Sequence, residues 1–186
     1  MSDTTLTIGL PAGSLADPTR GGSLIALLKK AGFPAVGYDK GGPSSFPLQP
    51  YFIGWDGRPQ EFGSQLAINE LDVAIAGGDW INERILEMKL EYNTKIEVEE
   101  VLSLNRGGVR IVGIAAQEAE DNSTDLFKRL CETNDLITVV AEMPYLALNW
   151  VQNKLKEIGK FEEFSAFSVQ KYKTPAKINK GIIPKN

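Results

Sequence analysis

Leu6-Thr7-Ile8-Gly9-Leu10-Pro11-Ala12-Gly13-Ser14 decides how the rest of the chain is read. Leu6 to Leu10 read as a short buried strand, and the Pro-Ala-Gly-Ser turn follows at once. A helix is then expected between Leu15 and Ala31, with Leu24, Ile25, Leu27 and Leu28 as its apolar face and Ser14 as its cap. Gly21-Gly22 interrupts that stretch, so the helix is expected to start twice. Gly32 is its stop. The same pattern returns at Leu71 to Ala76, a compact strand closed by Gly77-Gly78-Asp79. Asp79 there is expected to cap a helix from Trp80 to Met88.

Between the two lies a Gly-, Pro- and aromatic-rich stretch from Phe33 to Pro59, read as loops with one or two short strands around Tyr51–Trp55. A short helix is expected from Glu61 to Asn69, with Phe62, Leu66 and Ile68 inward. Ile96 to Leu104 alternates through Val98, Val101 and Leu104 and predicts strand, as does Val109 to Ala115. Then come a helix at Asp125–Glu132 with Ser123 and Thr124 as caps, a strand at Leu136–Ala141, and a helix at Tyr145–Ile158. Leu146, Leu148, Val151 and Leu155 form the face of that last helix, which ends at Gly159. A final strand is expected at Phe164–Val169, followed by a Lys-rich tail after Tyr172. Strands alternating with helices imply an α/β fold with mostly parallel sheets and right-handed crossovers. A break near Asn105-Arg106-Gly107-Gly108 divides it into a first α/β lobe over residues 1–105 and a second over 106–186.

At 186 residues the chain has room for one large domain or two small ones, and its 42% hydrophobic and 24% charged content is that of an ordinary globular protein. A net charge of −4 with scattered Lys and Arg argues against a nucleic-acid partner, which needs a basic face. Cys131 is the only cysteine and there is no histidine, which removes internal disulfides, thiol metal clusters and His-based nucleophile pairs. Met1 to Pro11 has no basic start typical of a signal peptide, and no apolar run approaches the ~20 residues of a membrane span. The expectation is no membrane partner and a cytoplasmic location.

Each candidate motif has a bland reading beside a functional one. The glycine after the first strand lets backbone amides approach a ligand, and a helix N-terminus favours an anion. A plain strand-to-helix turn looks the same in sequence. Gly77-Gly78-Asp79 suits a nucleotide or phosphate, with Asp79 accepting from a ribose hydroxyl, or serves as a Gly-Gly turn with an Asp cap. Arg110 alternates with apolar neighbours, so on a core strand it would face away from them, toward a phosphate or a carboxylate such as Glu99 or Glu100. Trp55, Trp80 and Trp150 read as packing residues rather than ligand stackers.

Taken in order, Leu6–Leu15, Leu71–Ile81 and Gly107–Ala115 resemble the ATP phosphoribosyltransferase family of histidine biosynthesis, as does Ala141–Val151, similar to that family's helix entry. The resemblance implies two α/β lobes like those of type II periplasmic binding proteins. It implies transfer of a 5-phosphoribosyl group from phosphoribosyl pyrophosphate to N1 of ATP, with Mg²⁺ as cofactor and a homo-oligomeric state. Mg²⁺ and backbone amides would stabilise the charges of a cationic, sugar-like transition state, with no need of histidine. Carried over, Gly13 and Ser14 approach phosphate, Arg58 and Glu61 contact substrate, Gly77, Gly78 and Asp79 hold the nucleotide or ribose, and Arg110 lies at the lobe junction. No catalytic residue is assigned. Ala12 stands where the family commonly has Lys, and Gln60 where it has a second Arg. The family's phosphoribosyl-pyrophosphate loop would follow soon after Lys180–Asn186, so the resemblance implies a portion of a longer enzyme or a shortened relative. A non-catalytic nucleotide- or small-anion-binding module of periplasmic-binding-protein type is the alternative.

Overall fold

The computed structural model describes residues 5–20, 23–38, 40–105, 108–115, 122–134, 137–162 and 167–171. The chain divides into two compact units, Met1–Arg110 and Ile111–Asn186.

The first unit holds strands β1 (Leu6–Pro11), β2 (Gly42–Ser45), β3 (Phe52–Gly57) and β4 (Val73–Ala74). Their order is β2-β3-β1-β4. β1 runs parallel to β3 from Leu6↔Phe52 to Pro11↔Gly57, and parallel to β4 at Ile8↔Val73. β2 is antiparallel to β3, so the sheet is mixed but mostly parallel. Helices α1 (Leu24–Lys30), α2 (Pro59–Ala67) and α3 (Gly78–Tyr92) complete the unit.

The period-two alternation of β1 decides what each face of the sheet can carry. Ile8 and Leu10 join a cluster with Ala16, Leu24, Tyr38 and Phe46, against which Ile25, Leu27, Leu28 and Phe33 pack. Gly9 and Gly57 belong to the other face, where Phe62 of α2 is fully buried. A methyl at Gly9 would come within 2.8 Å of Leu71 Cδ1, and one at Gly57 within 2.7 Å of Phe62 Cε1. Glycine at both positions is therefore what lets the phenyl ring settle onto the strands. Burying such a ring stabilises the unit by about 1.5–3 kcal/mol. α1 ends as its sequence predicts: Gly32 sits at φ 86°, with Gly32 N–H on the Lys29 carbonyl at 3.2 Å and Phe33 N–H on that of Leu28 at 2.8 Å. α2 and α3 are joined by Arg84, whose Nε donates to Ser64 Oγ and whose guanidinium pairs with Glu87 at 2.5 Å.

The second unit holds α4 (Ser123–Thr133), β5 (Ile137–Ala141), α5 (Pro144–Glu157) and β6 (Phe167–Lys171). β5 and β6 are parallel, from Ile137↔Phe167 to Ala141↔Lys171. Phe127, Ile137, Val151 and Leu155 form its core. Trp150 meets Phe127 edge-on, with ring centroids 5.2 Å apart, so this tryptophan packs as predicted. Gly159, at φ 68°, closes α5.

Several local expectations are corrected. Ser14 caps no long helix but lies in a 3-10 turn, Gly13–Leu15, followed by a second at Pro18–Arg20, and α1 starts only at Leu24. Pro18, which has no N–H to give, is at home at the start of a new turn rather than within a continuing helix. Gly77, not Asp79, stands at the N-cap of α3, and Asp79 is its second residue. Asn122, rather than Ser123 or Thr124, caps α4, its Oδ1 accepting from Asp125 N–H at 2.9 Å. Ile68 is exposed because α2 ends before it. Leu71–Ala76 keeps ladder pairing only at Val73–Ala74, extended by Asp72 N–H to the Thr7 carbonyl and Ile75 N–H to that of Gly9, both 2.9 Å. Ile96–Leu104 and Val109–Ala115 form no strand, since alternation makes a strand only where a second strand supplies the ladder. Arg110 is accordingly on no core strand; it is exposed, where a charge needs no partner. Gly21-Gly22, Arg106-Gly107, Leu136, residues 163–166 and the tail after Lys171 lie outside the described residues.

Candidate functional site

Because β3, β1 and β4 are parallel, their carboxyl ends share one edge of the sheet, and each runs into a turn there. β1 leads into Ala12 and Gly13, β3 into Arg58 and α2, β4 into Gly77 and α3. The first two turns are joined directly, Ala12 N–H donating to the Gly57 carbonyl at 2.9 Å. Gly13 has φ 84°, a conformation that side chains with a Cβ rarely adopt. Its carbonyl accepts from Ala16 N–H at 3.1 Å and Asp17 N–H at 3.0 Å, which folds the 3-10 turn around it. Ser14 is exposed on that turn.

Arg58 is the N-cap of α2 in extended conformation, with Pro59 beginning the helix. The Arg58 carbonyl accepts from Glu61 N–H at 2.9 Å, and both side chains reach solvent. At α3, Gly77 caps without a side chain and Gly78 is exposed, with no atom within 4 Å of where a Cβ would stand. The Asp79 carboxylate takes the Trp80 N–H at 2.9 Å, and the Gly77 carbonyl takes that of Ile81 at 3.3 Å. Among the described residues the Gly78 and Asp79 amides have no acceptor. Two open amides at the start of a 15-residue helix, with its positive dipole end, form a landing place for an anion.

Seven of the predicted residues thus stand at one edge: Gly13, Ser14, Arg58, Glu61, Gly77, Gly78 and Asp79. No described contact brings Arg110 to it. The edge also holds two carboxylates that the sequence reading missed. A depression of about 410 Å³ opens beside Gly13, lined among others by Ala12, Ala16, Asp17, Ile25 and Asp56. Asp56 is buried near the end of β3, its Oδ2 accepting from Gly41 N–H at 3.3 Å. Asp17 Oδ1 accepts from the Thr19 N–H and hydroxyl at 2.8 and 2.7 Å. Tyr38 donates to the Pro11 carbonyl at 2.7 Å and so fixes the floor of the turn. The only sequence signal was an acid just before the Gly57-Arg58-Pro59 turn; the strand order puts it beside Gly13. Among the described residues no group of three or more acidic or thiol side chains is placed to hold a metal ion, and no helix is long and apolar enough to cross a membrane.

The arrangement is chemically two-sided. Helix amides at α3 suit an anion, while carboxylates in the depression suit hydroxyl or amino donors. This is an α/β protein whose mostly parallel sheet presents a polar, glycine-lined edge. The ATP phosphoribosyltransferase of Geotalea daltonii is 32% identical to it over 130 residues, covering 64% of this chain and 37% of that protein. The chain therefore spans well under half the length of the relative it matches. No protein-family profile matches it.

Proposed function

We propose that this edge binds a nucleotide, and that the chain is the nucleotide-binding portion of an ATP phosphoribosyltransferase. In that reaction the 5-phosphoribosyl group passes from phosphoribosyl pyrophosphate to N1 of ATP, the first step of histidine biosynthesis. The reading brings with it a two-lobed architecture of the type II periplasmic binding kind. The observation that carries it is the convergence of the Gly13 turn and the Gly77-Gly78 helix start on the ends of paired parallel strands. The 32% identity to a protein of that activity supports it. Phosphate would meet the Gly78 and Asp79 amides and the Arg58 side chain, and ribose hydroxyls would donate to Asp56 or Asp17.

Magnesium is the ion that this reading implies. The ion is commonly held by one or two carboxylates together with substrate phosphates, and Asp17, Asp56 and Asp79 are the candidate carboxylates here. It would neutralise pyrophosphate as the leaving group departs.

Calorimetric titration of the 186-residue chain with ATP and AMP tests the reading, with heat and a raised melting temperature expected. The absence of both signals at millimolar nucleotide would overturn it. A second reading, binding without turnover, is favoured by Ala12 in the first turn, where the family commonly carries Lys. Pyrophosphate release on mixing the chain with ATP, phosphoribosyl pyrophosphate and Mg²⁺ separates the two: release supports the enzyme, and nucleotide binding without release supports the module.

A further inference from the structure

The depression beside Gly13 is acidic on its inside. Asp17 and Asp56 line it with Ala12, Gly13, Ile25 and Gly41 among others, and no lining residue among those described is basic. That lining suits the hydroxyls of a sugar. It does not suit the phosphate that a nucleotide carries a single methylene away from its sugar ring. Two carboxylates and a phosphate brought close together repel unless a cation stands among them.

Lys40 is placed to supply that cation. Its neighbour Gly41 lines the depression and donates its N–H to Asp56 Oδ2 at 3.3 Å. Gly42 then faces Asp56 across the ladder between β2 and β3. Gly41 and Gly42 have φ 78° and 91°, so the chain turns sharply just after Lys40, through a conformation that glycine alone takes without strain. On its other side, Lys40 N–H donates to the Gly37 carbonyl at 3.3 Å. These bonds hold the Lys40 backbone at the rim, beside the carboxyl end of β3. Lys40 is exposed, and among the described residues it makes no ion pair. A compact charge on a flexible four-carbon stem can swing over such a rim.

We propose that Lys40 is a ligand-binding residue, whose ammonium meets the phosphate next to the sugar and offsets the charge of Asp17 and Asp56. The inference rests on the nucleotide reading of this edge and adds to it a source of selectivity for a phosphorylated ligand. The α3 amides and Arg58 are then left for phosphates further out. AMP, with its single phosphate, depends on Lys40 as ATP does.

Calorimetric titration of the full chain with AMP and ATP tests this. Lys40→Gln is expected to weaken AMP binding about tenfold. Lys40→Arg, which keeps the charge, is expected to stay within about threefold of the wild type. Raising salt from about 50 to about 200 mM should weaken AMP binding by the wild type more than by Lys40→Gln, because screening acts on the charge that the variant lacks. A merely structural role would leave the two salt responses alike. A wild-type chain that binds neither nucleotide overturns the nucleotide reading, and this inference with it. Where the wild type does bind AMP, three results overturn the assignment of Lys40 and leave that reading standing. They are equal affinity in Lys40→Gln, an Arg variant as weak as the Gln one, and identical salt responses.

Discussion

Gly78→Asp separates ligand binding from folding at the start of α3. Gly78 is exposed, has no positive φ, and offers open space to a side chain, so the substitution meets no steric barrier. Losing glycine there removes unfolded-state freedom worth about 0.4–1 kcal/mol. A carboxylate in the first turn of a 15-residue helix gains a further 0.3–1 kcal/mol, roughly, from the dipole. Repulsion from neighbouring Asp79 takes part of this back, so the folded chain should be unchanged or more stable by about 1 kcal/mol. The effect on a bound phosphate has the opposite sign. A new negative charge near 4 Å from the ligand costs about 1 kcal/mol at the dielectric of water and about 4 kcal/mol at that of a protein surface. That range is roughly a fivefold to several-hundredfold loss of ATP affinity. Thermal melting and calorimetric titration on the same sample read both quantities. An unchanged ATP affinity in a variant that melts no lower than the wild type would refute the placement of phosphate at this helix.

Three other outcomes are expected. Phe62→Ala removes the ring that rests on Gly9 and Gly57 and should destabilise the first unit by about 3–5 kcal/mol in denaturant titration. Gly13→Ala forces a Cβ into φ 84° with no clash; it should cost about 1–2 kcal/mol and disturb the turn, raising the nucleotide dissociation constant more than Ser14→Ala does. Lowering the pH should loosen the helices of the second unit. Hydrogen bonding by Asn122 and Lys128 holds the Asp125 carboxyl below the usual carboxylate range, and Lys154 and Thr124 do the same for Glu157. Groups whose folded pKa is depressed contribute stability above the unfolded value and lose it as pH falls through the folded one. Helicity of α4 and α5 should therefore decline below the ordinary carboxylate range. Asp125→Asn should flatten that decline, and an unaltered profile would refute the assignment. Both carboxylates are exposed, so the change is modest.

Much of the fold was legible in local chemistry. The stops at Gly32 and Gly159 were readable because only glycine accepts the left-handed turn without strain. The glycine turns after two strands were readable as neighbours on one edge because parallel strands deliver their ends to the same side. Helix starts were read less well. Ser14, Asp79 and Ser123 are all good capping types, yet the caps proved to be Ser23, Gly77 and Asn122, because where a helix begins depends on the packing of the turn before it.

By itself the sequence determined the strand–glycine–helix units, their order and the residues that line each turn, since these follow from backbone sterics and short-range periodicity. Only the tertiary structure decided which strands are neighbours. Placing β3 beside β1 is what brings Asp56 to Gly13 and makes a depression out of residues far apart in the chain. It also decided that Ile96–Leu104 and Val109–Ala115, patterned as strands, stay unpaired within the chain, because a ladder is a property of two segments and no single alternation contains its partner.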